Sequence, residues 1–273
     1  LDALLSGYFA EVSAWCRAHG VLFTGHLMGE DTLASQVAWT GAAMPAYPFM
    51  DVPGIDHLTR SLHWRHGAQG AAEPTRFIAT PKQCASAAGQ CGRKRVLAEM
   101  YGVSTQAISF ADRRRIGDWF AALGITCRCL HGTFYSMRGR RKRIYAPHIS
   151  YQQPWWPDNH CIPDYFARLG YALSRGEHAA EILVIHPVES AYAVFDPDDF
   201  AEGAGKKRNA ELDALWRSFS QLGEDLLRIQ RCFDYGDEQL LAERAAVAGG
   251  AITVGPMAYR VAIMPDLLTL RRT

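Results

Sequence analysis

The chain has 273 residues, long for one domain and comfortable for two. It is 48% hydrophobic and 21% charged, with a net charge of +1, a globular balance that points away from nucleic acid or an acidic partner. No apolar stretch approaches the roughly 20 residues needed to span a bilayer and no signal peptide opens the chain, so no membrane role is expected.

Seven cysteines are scattered without a CxxC or any paired Cys/His spacing. That is the usage of a reducing cytoplasm and not of a zinc or disulfide framework. Cys127 and Cys129 share one face of a strand, which suits buried thiols. The start at Leu1, in mid-helix pattern and without a methionine, points to a piece of a longer protein and leaves secretion open.

Residues 1–19 carry Leu4, Leu5, Tyr8, Phe9, Val12 and Trp15 at spacings of three and four, an amphipathic helix closed by His19-Gly20. Val21 to His26 reads as a strand, and the following turn carries Glu30 and Asp31; residues 32–42 read as a helix. Tyr47 onward reads as a short strand that runs into a loop turned by Pro53-Gly54 and carrying Asp56 and His57. Residues 58–74 look irregular and charged, and 80–91 form a helix of small residues. Val96 to Met100 is a buried strand that delivers Glu99 to the rim of a sheet. Ser109 caps a helix that stops at Gly124. Ile125 to Leu130 is a strand ending at His131, and a long aromatic and basic loop over 133–159 leads to a helix over 162–176.

Strand–helix units thus recur, with strands near 21, 48, 96 and 125, which implies parallel strands joined by crossovers. In each unit the polar and aromatic residues collect after the strand, as at the mouth of an α/β barrel. After Gly176 the pattern restarts. Glu181 to His186 is a buried strand, 196–205 a polar loop, Leu212 to Ile229 a long amphipathic helix, and Ala251–Val254 and Tyr259–Met264 are short strands. This is a partial flavodoxin-like α/β unit, and the boundary falls near residue 179.

Glu99 at a strand end is either a catalytic carboxyl or a structural partner of a turn or an arginine. Glu30 and Asp31 suit ligand hydroxyls, support of Glu99 or a cation, while Asp31 also fits a helix N-cap. His26 and His131 suit donation to hydroxyls or to a carboxylate, or a packed core. Trp155 and Trp156, with Tyr135 and Tyr151, form an aromatic set suited to stacking on a ligand, or to burying a loop. Arg138 could clamp a hydroxyl or a carboxylate. The run Arg138–Arg143 otherwise reads as a solvated loop.

The motifs TGHLMGED (24–31), DVPGIDHL (51–58), RVLAEMYG (95–102), SMRGRRKR (136–143), SYQQPWW (150–156) and ILVIHPVES (182–190) resemble a group of large bacterial glycoside hydrolases. These include the family 106 α-L-rhamnosidases and, more distantly, the family 42 β-galactosidases. The resemblance implies an α/β fold in which 1–179 is the C-terminal half of a TIM (β/α)8 barrel, strands five to eight. Residues 180–273 would begin a class I amidotransferase-like domain. It further implies O-glycosyl hydrolysis by paired carboxylates, with Glu99 one of them and the other upstream of Leu1. Glu30, Asp31, His26, Asp56, His57 and His131 become candidates for catalysis or substrate binding, and Tyr101, Tyr135, Arg138, Gln152, Trp155 and Trp156 for substrate binding. The implied partner is a carbohydrate, with a homo-oligomer possible. No cofactor is expected, although calcium is possible by resemblance. A non-catalytic carbohydrate-binding fragment or pseudoenzyme is the alternative, and a sugar-nucleotide enzyme lacks its glycine fingerprint here.

Overall fold

The computed structural model describes residues 1–58, 62–65, 72–140, 149–200 and 209–272. His66, residues 141–143, Tyr145 and residues 201–208 of the loops read from sequence lie outside them. The first helix runs as α1 (Asp2–Leu4), a π-helical stretch (Leu5–Phe9) and α2 (Ala10–Ala18). The π stretch shifts the phase of the buried stripe. Leu5, Phe9, Ser13 and Cys16 face inward, and Tyr8 and Trp15, assigned to the apolar face by their spacing, are exposed.

Four strands form one parallel sheet in sequence order: β1 (Thr24–Gly25), β2 (Val52–Asp56), β5 (Leu97–Met100) and β6 (Cys127–Leu130). Between them lie α3 (Leu33–Trp39), a hairpin of β3 (His63–Arg65) and β4 (Ala72–Arg76), α4 (Ala79–Gln90) and α5 (Phe110–Ala122). The hairpin lies in the stretch that reads as irregular. The strand expected from Val21 shrinks to two residues, because β1 is an edge with one neighbour and Val21 and Leu22 are left exposed. Tyr47 is not in a strand. Pro45 and Pro48 favour the 3-10 helix Met44–Phe49, and the strand begins at Val52. Pro53-Gly54 is strand, not turn. A Cβ on Gly54 would lie 2.6 Å from the Gly25 carbonyl oxygen, so glycine lets the two backbones approach.

The two faces of this sheet differ. Ile55, Ala98 and Met100 are buried in the same core as Cys84 and Ala87 of α4 and Ile116 and Phe120 of α5. On the alternate positions Leu97, Glu99 and Cys127 are half-buried and Cys129 is exposed, so these thiols are not core residues. Ser109 accepts from the Asp112 N–H in a capping box at the start of α5, and Gly124 ends it at φ +102°. α6 (Cys161–Arg175) packs on α5, with the Phe166 ring against Gly117.

The second α/β unit has a parallel sheet ordered β12 (Val261–Ile263), β7 (Ile182–Ile185), β8 (Phe233–Gly236). With it are α7 (Val188–Val194), α8 (Ala210–Arg228) and α9 (Glu238–Arg244). A small antiparallel sheet joins β9 (Ala245–Ala248), β10 (Ala251–Val254) and β11 (Met257–Tyr259). The main core is continuous across residue 179, from Ile55 and Ala98 through Ala87 to Val184, Phe219 and Phe233. α4 packs on β2 on one side and on β8 on the other. Lys82 of α4 donates to the buried Asp234 of β8 at 3.2 Å, which also takes Ser86 at 3.1 Å, His178 at 3.2 Å and Tyr259 at 3.0 Å. No helix among the described residues is long and apolar enough to cross a membrane.

Candidate functional site

Glu99 stands one residue before the end of β5, in register with Asp56 of β2 and Cys129 of β6. The backbone fixes its neighbours. The Glu99 carbonyl accepts from His57 N at 2.9 Å, and the Met100 carbonyl accepts from His131 N at 2.9 Å. His131 is therefore tied to the C-terminal edge from one side, and the chain leaving β1 brings His26 from the other. His26 Nε2 lies 2.9 Å from Glu99 Oε2, and His131 Nε2 lies 3.8 Å from Oε1. The Glu99 side chain is 25% exposed, so the carboxylate is held by the His26 imidazole, has His131 close by, and is still open to solvent. Asp56 is half-buried, and its Oδ1 has no hydrogen-bond partner among the described residues. Burial pushes the Asp56 carboxyl above its ordinary range; His26 and His131 act against this and the charge of Glu99 adds to it.

The structure thus brings His26, Asp56, Glu99 and His131 together at one sheet edge. Glu30 is not beside them at the surface. It is 2% exposed, with Oε2 accepting from Tyr47 Oη at 2.5 Å and Oε1 from Asp56 N at 2.8 Å, and burial raises its carboxyl well above the usual range. Asp31 is not the N-cap of α3, because Thr32 takes that place through Ser35. His57 is buried edge-on between Phe77 and Phe120, with ring centroids at 5.0 and 4.8 Å.

Tyr101, read as part of the sugar site, is a core residue. Its φ of +72° breaks the alternation of β5, its hydroxyl donates to the Arg113 carbonyl at 2.9 Å, and burial pushes its pKa up to about 12. Val103 and Thr105 also have positive φ (56° and 65°), so three non-glycine residues just after Glu99 hold a left-handed conformation. Trp155 is half-buried against Phe110, with ring centroids 5.3 Å apart, and against the Arg113 guanidinium. Trp156, Tyr151 and Tyr135 are exposed. Gln152 bonds the Tyr151 hydroxyl at 3.4 Å, and Arg138 is exposed with its N–H on Ser136 Oγ.

Among the described residues no group of three or more His, Cys, Asp or Glu side chains is gathered to hold a metal ion. Of the pair read for a cation, Glu30 has both carboxyl oxygens taken, by Tyr47 Oη and by the Asp56 N–H. Sequence reading missed the residues that brace this edge, Tyr47, Gln36, Gln83 and His186. Their signal was two glutamines set in otherwise apolar or small-residue helices.

No family model matches the chain, and no curated protein matches it. Among solved structures, a rhamnosidase from Novosphingobium sp. PP1Y matches 96% of the chain at a TM-score of 0.66 and 17% sequence identity. The chain shares its fold with a rhamnosidase. It spans 22% of that rhamnosidase's length. A catalytic mutant of a GH42 beta-galactosidase from G. stearothermophilus is similar at a TM-score of 0.48 and 12% identity, over 87% of this chain and 34% of that one. The resemblance read from the motifs is therefore met in a rhamnosidase-like fold that brings β1, β2, β5 and β6 side by side.

Proposed function

We propose that the chain is part of a glycoside hydrolase and carries one of its catalytic carboxyls, Glu99. The observation that carries this reading is the partly exposed Glu99 carboxylate, 2.9 Å from His26 and with His131 3.8 Å away on its other oxygen, at the C-terminal edge of adjacent parallel strands. Hydrolysis of a glycosidic bond needs a carboxyl that donates a proton, takes one from water or attacks the anomeric carbon. An imidazole that orients the carboxylate, as His26 does at 2.9 Å, serves any of these roles. The second carboxyl belongs to a part of the parent enzyme outside this chain.

The architecture proposed with it is the C-terminal half of a (β/α)8 barrel, strands five to eight, followed by the start of an amidotransferase-like unit. Three features support it. The four strands are parallel and in sequence order, the core lies against one face, and the other face, bearing Leu97, Glu99, Cys127 and Cys129, is partly open as a barrel interior would be. The substrate is a carbohydrate, with Trp156, Tyr151 and Tyr135 as stacking surfaces and Arg138 and Gln152 as hydroxyl partners.

Glu99→Gln in the full-length protein, assayed on a panel of nitrophenyl glycosides, is expected to lower kcat by about a thousandfold and leave KM within a few-fold, because the carboxyl acts on the transition state. A variant with near-normal kcat overturns the assignment. The exposed aromatic set also fits a carbohydrate-binding fragment without catalysis; sugar retention by a full-length protein that turns over none of the panel selects that reading.

A further inference from the structure

The edge that carries Glu99 is braced from the far side of the molecule by one buried polar chain. It begins at His186, which follows β7 and is 1% exposed, with Nε2 3.2 Å from Gln83 Oε1. Gln83 Nε2 donates to the Glu30 carbonyl at 2.8 Å, which fixes the amide's orientation. Its Oε1 must then accept, so His186 is the donor through Nε2–H. Gln36 joins in the same way, donating to the Glu30 carbonyl and to Gln83 Oε1 at 3.2 Å each while its own Oε1 accepts from Ala43 N. Thr80 adds a third donor to the Glu30 carbonyl at 3.3 Å.

The Glu30 side chain then reaches the site. β1 pairs with β2 through Thr24 and Val52 and then Gly25 and Pro53, and no further. Beyond that point the chain leaves the sheet, and the N–H of Asp56 has no ladder partner on that side. Glu30 Oε1 takes that N–H at 2.8 Å, in the place an edge strand would occupy, and Tyr47 holds the other oxygen. Asp56 is the register partner of Glu99. A buried polar chain of this kind stabilises no more than an apolar core of the same shape, but it fixes geometry where its members are satisfied, as both glutamines and the Glu30 carboxyl are. His186 Nδ1 has no partner among the described residues.

We propose that Glu30 is a positioning residue which, supported by Tyr47, Gln83 and His186, fixes the end of β2 and so sets the Asp56 carboxyl against Glu99. The second α/β unit is thereby part of the site. This rests on the reading of Glu99 as a catalytic carboxyl. The groups that face Asp56 are Glu99 from β5, His26 from the segment after β1 and His131 from the segment after β6, with Glu30 on its N–H. Displacing Asp56 changes the field at Glu99.

The test compares Glu30→Met, which removes the acceptor, with Glu30→Gln, which keeps one, in the full-length protein. Glu30→Met is expected to lower kcat about tenfold with KM within twofold, and to move the acidic limb of the kcat–pH profile by about half a pH unit. Glu30→Gln restores most of both, and in an Asp56→Asn background Glu30→Met moves the limb no further. If Glu30→Met lowers the melting temperature but leaves kcat and the limb in place, Glu30 is only structural and the proposal is overturned. Should Glu30→Met fail to fold, Gln83→Met removes the support and leaves both carboxyl contacts; a limb that stays put there overturns it equally. Hydrogen exchange at the Asp56 amide reads the brace without any activity. About tenfold faster exchange in Gln83→Met is expected, and unchanged exchange overturns the brace even where Glu99→Gln has already sunk the glycosidase reading.

Discussion

Lys82→Met tests the junction between α4 and β8. Asp234 is fully buried, and Lys82 is its one permanently cationic partner among the described residues, with its own side chain 6% exposed. Removing one member of a buried ion pair costs about 3–5 kcal/mol, because the remaining charge is left without compensation. Ser86, Tyr259 and His178 remain on Asp234, and His178 is partly exposed, so the lower end, about 3 kcal/mol, is expected. That corresponds to a fall in melting temperature of about 6–12 °C for a chain of this size. Burial alone would raise the Asp234 carboxyl, but Lys82, with His178 and Tyr259, reverses this and holds it well below the usual range. A depressed folded-state pKa contributes stability that is complete above the unfolded value near ~3.9 and is lost as pH falls through the folded value. The wild type should therefore shed this contribution only below about pH 4, and Lys82→Met, whose Asp234 carboxyl is less depressed, has less to shed, so the gap between the two should narrow as pH falls. Urea unfolding followed by tryptophan fluorescence at neutral pH and at about pH 3 reads both effects. A loss under about 1 kcal/mol, the range of an exposed pair, or an acid limb identical to the wild type would refute the reasoning.

Gly117→Ala should destabilise by about 1–3 kcal/mol through overpacking, because its Cβ would lie 2.1 Å from Phe166 Cζ; a thermal melt matching the wild type would show that α6 shifts freely. Val103→Gly should raise stability by up to about 1 kcal/mol, since glycine holds φ +56° without the clash a β-branched side chain meets. A lowered urea midpoint would mean that the exposed valine is packed in some other way.

Much of the first sheet was legible because its signals are local. Val96 to Met100 is an apolar run, and Ser109 and Gly124 punctuate α5, so β5, α5 and β6 fall where the residues put them. His26, Glu99 and His131 were legible as a set because each lies at or just beyond a strand end. What escaped depends on partners far away in the chain. Pro53-Gly54 has the composition of a turn, and pairing with Gly25 on one side and Leu97 on the other makes it strand. Phe233–Gly236 does not read as a buried strand, since it contains an aspartate whose cation comes from a lysine 152 residues away. Glu30 reads as an acid open to hydroxyls or a cation until Tyr47 and the Asp56 N–H take both its oxygens, and Tyr101 reads as a pocket residue until its left-handed backbone is seen to break the strand alternation.

The double-sided packing of α4 has a consequence for how the molecule comes apart. A helix that is the wall of both parallel sheets leaves no seam along which one α/β unit can open while the other stays closed. Releasing β8 would strip Lys82, Ser86 and Gln90 of their partners, and releasing β2 would uncover the opposite side of the same three turns. The fluctuations that expose either sheet are therefore expected to be one event. Amides in β5 and in β8, far apart in sequence and in different sheets, should share a common slowest rate of exchange with solvent. The sequence divides near residue 179, but the free energy does not.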